Sequence, residues 1–556
     1  MWVQPYRPLA ESLAVSAVAA SIPLLVIGLA LGVWRIASWK ASLLALAAGA
    51  GVALLVYRMP PGLIVASAVY GAAFGLFPLG YLVFSAILLF DIAVATGRFE
   101  NIRRSVATID PDARIQALII AFVFGAFLEG ASGAGTPVAV SASLLAGIGF
   151  TPLMAGGMSL LANTAPVAFG ALGLPIVTLA AVTGLPIRAL SAAAGRICPI
   201  VAVIVPAYLI VVLAGGRSAL SIWPALVVSG VAFAAGQFLI SNFIGPYLAD
   251  ILSAIVTMAA LILCLRVWRP ASPFRLTAEP RGTMVGTARA IVAAEVARPA
   301  PTAGEVFHGW SPYLLLVATV ILWGVGPIQR LLERATIQIQ VPLLHNAVQR
   351  TVPIVRVDAP YPAVFAFNWL GAAGTACLVA AFLTAVVSGM SLRELGRTFG
   401  TTARRLALAE LTIACVLGLA YLMNYAGATA TLGLAAAATG TLLPFFGAYL
   451  GWVGTFLTGS DTSTNALFGP LQVVSARSVG LNPILMCAVN TCGGVTGKMI
   501  SIQNIAVAAA ATGMAASDEG KLFRFTLKHS VILATVVGLI ALAYAYVFSG
   551  WMPVAE

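Results

Sequence analysis

The feature that most constrains this chain is a series of apolar runs, each long enough to cross a membrane as a helix. Only 9% of its 556 residues are charged and 61% are hydrophobic, whereas a soluble domain carries roughly a quarter charged residues. About 20 apolar helical residues cross the hydrocarbon layer of a bilayer. The sequence therefore predicts an all-α polytopic membrane protein with about 12–14 membrane segments.

The positive charge of the chain indicates membrane orientation and not a nucleic-acid partner. The net charge is +12, but the Lys and Arg residues lie in short loops between apolar runs, where positive charge keeps a loop cytoplasmic. The six cysteines fall in or beside apolar segments, with no CxxC pair and no neighbouring histidine. They are typical of small core residues, so we predict neither disulfides nor a metal site, and no cofactor.

The polar segments divide the chain into two membrane halves. We predict an N-terminal half over 1–265, a flexible cytoplasmic linker over 266–310 that is rich in Arg, Pro, Ala and Gly, and a C-terminal half over 311–556. A second extramembrane stretch is predicted over 327–361. The expected surroundings of both halves are membrane lipid.

Each half contains a region in which Gly, Ser, Thr and Asn interrupt the apolar sequence. These broken regions cover 115–182 and 450–510. Lipid offers no hydrogen-bond partners, so the free backbone groups of a broken helix must face protein or a hydrated site. Broken helices at corresponding positions of two halves are typical of a transporter's binding site. The pattern predicts a two-fold internal repeat with a site where the breaks lie.

Two registers of the repeat are possible. An offset of about 300 residues pairs Arg196 with Lys498, and an offset of about 330 pairs Asn163 with Asn490. We prefer the first because its anchors cover more of the chain. For any single run, close helix packing through small residues is the simpler explanation.

Charged residues within apolar sequence are the sharper signal, because burying one at mid-helix costs ~2.5–3.5 kcal/mol on insertion scales. Glu129 and Asp461 lie at the breaks, where either could carry a proton; a structural ion pair or a helix cap is the alternative. Lys498 could bind a substrate carboxylate, or it could be a lysine that reaches the membrane interface. Arg196, its counterpart in the preferred register, is a second candidate for substrate contact.

Enzymatic and ATP-driven chemistry find no support in the sequence. The run from Cys492 to Met499 resembles a phosphate-binding loop, but Cys stands at the first Gly position and Met where Ser or Thr would bind magnesium. His308, His345 and His529 are isolated from one another. A membrane-embedded enzyme would need clustered titratable groups or a metal site, so we predict a transporter; a channel would not accumulate substrate against a gradient.

Four segments resemble the L-lactate permease family. They are GAFLEGASGAGTPVA at 125–139, LANTAPVAFGALG at 161–173, FLTGSDTSTNALFG at 456–469 and GGVTGKMIS at 493–501. The resemblance covers nearly the whole chain. It implies uptake of lactate, often also glycolate, with protons across a bacterial-type cytoplasmic membrane. It also implies an ion-transporter superfamily fold, with inverted halves and re-entrant hairpins. Ile502 and Asn504 depart from the family pattern, which leaves the exact substrate open.

These observations predict alternating access around a site between the breaks. Lys498, helix N-termini and hydroxyl groups would hold the carboxylate, amides would contact the 2-hydroxyl group, and Glu129 or Asp461 would exchange the coupled proton. The hydroxyl groups are those of Thr136, Thr164, Ser460, Thr462 and Ser463, and the amides are those of Asn163, Asn465 and Asn490. The alternative is a sodium-coupled carboxylate carrier, because oxygen atoms at the breaks could equally coordinate sodium.

Overall fold

The computed structural model describes residues 1–107, 109–133, 135–274, 302–355, 357–515 and 518–554. In this part of the chain, eleven helices are long and apolar enough to span a membrane, or up to twelve if one bent pair counts as a single span. The predicted helical membrane fold is confirmed, with a number of spans at the lower end of the predicted range. That any of the short paired helices is re-entrant stays a prediction.

The N-terminal half consists of helices joined by short loops. They are α1 (Leu13–Gly32), α2 (Ser38–Leu55), α3 (Pro61–Phe74), α4 (Tyr81–Ala95), α5 (Arg98–Ala107), α6 (Ala113–Ala117), α7 (Gly125–Ala131), α8 (Thr136–Gly147), α9 (Pro152–Ala162), α10 (Gly170–Thr183), α11 (Ile187–Ala214), α12 (Gly216–Leu220), α13 (Trp223–Phe243) and α14 (Ala249–Val267). Wider π-helical turns at Gly75–Gly80 and Leu118–Phe124 join α3 to α4 and α6 to α7, and a 3-10 turn at Val167–Phe169 precedes α10.

The C-terminal half combines helices with four strands, which form two small sheets together with a strand at the N-terminus of the chain. The helices are α15 (Ala303–Gly324), α16 (Gly326–Glu333), α17 (Ala373–Val387), α18 (Leu392–Ala426), α19 (Ala428–Ala437), α20 (Leu443–Thr458), α21 (Asp461–Ser478), α22 (Pro483–Lys498), α23 (Ile502–Thr512) and α24 (Glu519–Tyr546), with 3-10 turns at Gly440–Leu442 and Ser549–Trp551. The strands are β1 (Trp2–Val3), β2 (Ile337–Gln340), β3 (Val348–Arg350), β4 (Ala359–Pro360) and β5 (Val364–Phe367).

The strands are a feature that the sequence analysis missed. β1 pairs in parallel with β3, which pairs antiparallel with β4, and β2 pairs antiparallel with β5. Four of the five strands lie between α16 and α17, in or next to the predicted extramembrane stretch. The alternation of isoleucine and glutamine in β2 is a strand pattern, but it is too short to be distinguished from a loop in sequence alone.

The predicted linker is shorter at its C-terminal end than expected. Residues 303–310 are helical because α15 begins at Ala303, where Thr302 caps the helix and Glu305 completes a reciprocal capping box. At the other end, α14 continues to Val267. The middle of the linker, 275–301, lies outside the described residues, so its flexibility stays a prediction.

Helix lengths decide the register of the internal repeat. The long helical unit Pro61–Ala95 has 35 residues, as does α18. α5 and α19 each have 10 residues, and α11 and α24 each have 28. All three pairs have an offset of about 330 residues. The preferred offset of about 300 is therefore wrong. It paired Arg196, in the middle of α11, with Lys498, the last residue of α22, because it relied on isolated matches of small residues.

Gln4 ties the N-terminal segment to the end of α18. Its side-chain amide donates hydrogen bonds to the carbonyl oxygens of Asn424 and Tyr425, at 2.8 Å each. These carbonyls belong to the last turn of α18, where helical N–H partners run out; Asn424 also accepts from the backbone N–H of Gly427 at 3.4 Å. Gln4 is itself buried.

We expect Gln4→Ala to lower the thermal stability of the purified protein. The substitution removes the side-chain donor of the Tyr425 carbonyl, and a buried carbonyl left without a partner costs about 1–3 kcal/mol. The matched control is Gln329→Ala, because Gln329 is exposed and bonds only to the neighbouring side chain of Glu333. Unfolding followed by tryptophan fluorescence in detergent should show a lower Tm for the first variant only. Equal Tm values would show that the N-terminal segment does not stabilise α18.

Candidate functional site

Four helix ends meet in the interior of the protein, two from each half. In the N-terminal half, α7 ends shortly before α8 begins at Thr136, and α9 and α10 form the bent pair, with an angle of 63°. In the C-terminal half, α20 ends at Gly459, whose φ of +72° favours glycine, and Ser460 caps α21. α22 ends at Lys498, and Ser501 caps α23. The predicted breaks are thus present in both halves.

A cavity of about 390 Å³ lies where these ends meet. One wall is apolar and comes from α4 and α18. The opposite wall carries polar groups from both halves, among them Glu129, Ser132, Ser460, Asp461, Thr462, Ser463, Lys498 and Asn504. Six of the residues predicted from sequence therefore line one cavity. A concave site with an apolar wall and a few convergent polar groups is typical of small-molecule binding.

A buried ion pair joins the two halves at this cavity. The Nζ atom of Lys498 lies 2.7 Å from Oε1 of Glu129, and Asn163 donates a hydrogen bond of 2.9 Å to Oε2 of the same carboxylate. Glu129 is 3% exposed and Lys498 is 7% exposed. Gly170 is required beside this pair, because a Cβ atom there would collide with the Glu129 carboxylate. Because both side chains are buried, the loss of either charge leaves the other uncompensated in the protein interior, which is energetically costly.

Asp461 is held in place by α20, α21 and α22. Thr491 donates a hydrogen bond to Oδ2 of Asp461, and Thr455 donates one of 3.5 Å to Oδ1. A Cβ atom on Gly494 would collide with Oδ1. Asp461 is thus a second carboxylate at the cavity, close to hydroxyl groups and without an ion-pair partner among the residues described.

The predicted amides Asn465 and Asn490 belong to a hydrogen-bonded chain behind Asp461. Asn465 donates to Thr491 at 2.9 Å and to the carbonyl of Pro175 at 3.1 Å. Asn490 donates to the Asn465 side chain at 2.9 Å and accepts from Gln472 at 3.2 Å. Neither amide lines the cavity. Their contacts indicate that they position Asp461 and α10 and do not contact a ligand directly in this conformation.

Three further predicted residues also lie away from the cavity. Thr164 donates to the carbonyl of Leu161 within its own helix end, and Thr136 is half-buried at the start of α8. Arg196 donates from Nε to Asn242 at 3.0 Å and lines a separate groove with Tyr544. The structure does not bring Arg196 to the other predicted residues, as expected once the repeat register is corrected.

The sequence analysis missed a third buried carboxylate behind the ion pair. Asp250 is fully buried. A Cβ atom built on Gly130 would lie 2.8 Å from the Cβ atom of Asp250. Gln237 donates to its Oδ1 at 3.1 Å, while Oδ2 of Asp250 and Oε1 of Gln237 are both buried without a partner. A position at the start of a helix such as α14 is typical of an interfacial residue, but in the structure Asp250 packs against Gly130 in the core.

The family comparison adds what geometry alone does not provide. The family model for L-lactate permease matches residues 16–548. The chain belongs to the L-lactate permease family. An L-lactate permease of Bacillus subtilis is 46% identical over 99% of this chain and 100% of that relative. A glycolate permease of Escherichia coli is 43% identical over 99% of each chain. The solved structure of Neisseria gonorrhoeae MtrF, from a class of antimetabolite efflux pumps, has a TM-score of 0.46 at 13% identity and covers 87% of this chain and 83% of that one.

Membership in the family confirms three predictions. Permeases are transporters, so the prediction of a transporter in place of an enzyme is correct. The protein is a multi-pass membrane protein. Because these permease relatives are bacterial, the membrane is the cytoplasmic one.

Proposed function

We propose that this protein takes up L-lactate, and glycolate or related 2-hydroxy monocarboxylates, together with protons across the cytoplasmic membrane. Its permease relatives support the substrate class. The observation that carries the mechanism is the buried ion pair between Lys498 and Glu129. Its two charged groups are 2.7 Å apart, and both residues line the cavity.

The ion pair provides a physical reason for coupling. With Glu129 ionised, Lys498 is already neutralised, and a substrate anion would add an uncompensated negative charge to a buried site. With Glu129 protonated, the ammonium group of Lys498 is free to bind a carboxylate. A proton and a substrate anion bound together leave the net charge unchanged, whereas either one alone changes it. Because uncompensated charges in a buried site are costly, the two are bound and released together.

The other cavity residues complete the substrate site in this proposal. The hydroxyl groups of Ser460, Thr462 and Ser463 line the cavity beside Lys498, where they can donate to carboxylate oxygens. They belong to the N-terminal turn of α21, whose partial positive charge also favours an anion. The apolar wall from α4 and α18 accommodates the methyl group of lactate. Asn163 acts by orienting Glu129.

We expect Glu129→Gln to uncouple the transporter. The amide mimics a protonated carboxyl group, so Lys498 is permanently available to substrate. In proteoliposomes, this variant should keep lactate exchange between equal concentrations on both sides and lose accumulation driven by a pH gradient. The matched control is Glu333→Gln, because Glu333 is exposed on α16 and should behave as wild type.

Three other outcomes decide between alternatives. If Asp461→Asn shows the uncoupled behaviour and Glu129→Gln does not, Asp461 carries the proton. Uphill lactate uptake driven by a sodium gradient at equal pH would contradict proton coupling. Wild-type protein that carries neither lactate nor glycolate would contradict the proposed function as a whole.

A further inference from the structure

A second, smaller cavity adjoins the central one. It has a volume of about 180 Å³ and lies between the α1–α2 loop, the end of α20 and the start of α23. Ser38, Thr458, Gly459 and Gln503 line both cavities. We call the smaller cavity the antechamber. Because four residues line both, the antechamber lies directly beside the cavity that contains Lys498.

The antechamber contains a cation that no described residue neutralises. Arg35 lies in the α1–α2 loop, is exposed, and makes no hydrogen bond or ion pair with any residue that the structure describes. A guanidinium group binds a carboxylate through two parallel hydrogen bonds. The hydroxyl group of Ser501, on the antechamber wall, is already used, because it donates to the carbonyl of Lys498 and accepts from Asn504. The Ser38 hydroxyl group also lines the antechamber, while Leu31 and Phe456 provide apolar surface. This combination suits a small acid with one charged end and one apolar end.

Gln503 stands between the antechamber and the central cavity. It lines both, and a Cβ atom on Gly459 would lie only 2.7 Å from its Oε1 atom. The side chain therefore lies directly against the break between α20 and α21. This break borders Asp461. If the break moves, its contact with Gln503 changes, and so does the position of the side chain that separates the two cavities.

Two spans, Ser38–Leu55 and Pro61–Ala95, separate the Arg35 loop from Arg98, which bonds to the carbonyl of His308, so Arg35 lies on the membrane face of the linker. We propose that the antechamber is a second binding site for the monocarboxylate substrate on that face, with Arg35 as the residue that attracts the anion. This inference rests on the proposed function. Because Arg35 is solvent-exposed, its contribution is chiefly to the capture of substrate. It therefore affects the KM for lactate and has little influence on the steps that limit the maximal rate.

The test compares Arg35→Gln with Arg393→Gln in proteoliposomes, with lactate supplied from the face that carries Arg35. Arg393 is a matched control because it is also exposed, lines neither cavity, and follows α17, whose last residue bonds to Arg98 on the same face of the membrane. At low ionic strength we expect Arg35→Gln to raise the KM for lactate about three- to tenfold, with a maximal rate within about twofold of wild type. The difference should shrink at high salt, since exposed charges are screened. Arg393→Gln should leave both parameters unchanged.

Charge rescue separates attraction of the anion from a structural role. In Arg35→Cys, a cationic methanethiosulfonate reagent adds a positive charge and should restore most of the affinity, whereas an anionic reagent of similar size should not. Wild type treated with either reagent is the control, because five of the six native cysteines are buried and Cys264 is half-buried.

Each remaining result contradicts the inference. An unchanged KM in Arg35→Gln, or a lower maximal rate with unchanged KM, would show that Arg35 does not capture substrate. An effect that appears only in vesicles with anionic lipid would make Arg35 a lipid-phosphate contact. Failure of the proposed function would instead appear in the wild type, as an absence of lactate uptake.

Discussion

Lys498→Ala is expected to eliminate most lactate uptake and to destabilise the protein. A hydrogen bond between a charged group and the substrate carboxylate is worth about 1.5–3 kcal/mol, which corresponds to about 10- to 100-fold in affinity. The substitution also leaves Glu129 buried with only the hydrogen bond from Asn163. Removing one partner of a buried ion pair costs about 3–5 kcal/mol of stability. Uptake of labelled lactate, normalised to the amount of protein in the membrane, and Tm in detergent measure the two effects.

A double variant separates these effects. In Glu129→Gln combined with Lys498→Met, neither member of the pair is left as an unpaired buried charge, so Tm should recover relative to Lys498→Ala. Uptake should stay low, because the group that binds the carboxylate is still missing. Lys528→Met is the control, since Lys528 is exposed on α24. Recovery of uptake together with Tm would show that the ion pair is structural and that Lys498 does not bind substrate.

Gly494→Ala is expected to have the second-largest effect, although it adds only one methyl group. The new Cβ atom would overlap Oδ1 of Asp461 and lie 2.8 Å from Oγ1 of Thr455. The carboxylate must then move away from Thr491, its hydrogen-bond donor. Because misplacing a functional group by about 1 Å can cost about 100-fold in rate, we expect lactate uptake to fall at least about tenfold.

The matched control is Gly51→Ala, another helical glycine. No atom lies within 4 Å of a Cβ atom built there. Replacing a helical glycine by alanine is otherwise favourable by up to about 1 kcal/mol, so this variant should transport normally with an unchanged or higher Tm. Normal uptake by Gly494→Ala would show that the position of Asp461 is not critical for transport.

The components of the site could be predicted from sequence, but their pairing could not. Glu129 and Lys498 were recognised because charges are rare in apolar sequence and each lies at a helix break. Their contact joins positions 369 residues apart, and nothing in the local sequence of either residue indicates the other. The repeat register does not reveal the pair either, because matches of small residues favour the wrong offset and add Arg196 to the predicted site.

The parts of the fold that sequence missed depend on tertiary contacts. Asp250 reads as a residue near a helix end, and only the close approach of α14 to Gly130 buries it behind Glu129. Asn465 and Asn490 are predicted from sequence to contact the substrate, but in the structure they bond to one another and do not line the cavity. The sequence around Arg35 does not indicate a binding site, because an arginine in a short loop is the usual orientation signal of a membrane protein.

The most direct test of the mechanism is a cryo-electron microscopy structure of the protein with L-lactate at acidic pH. We expect the substrate in the central cavity, with a carboxylate oxygen within hydrogen-bond distance of Nζ of Lys498 and with Glu129 no longer in contact with that ammonium group. Lactate bound elsewhere, with the Lys498–Glu129 pair still at its present distance of 2.7 Å, would contradict the account.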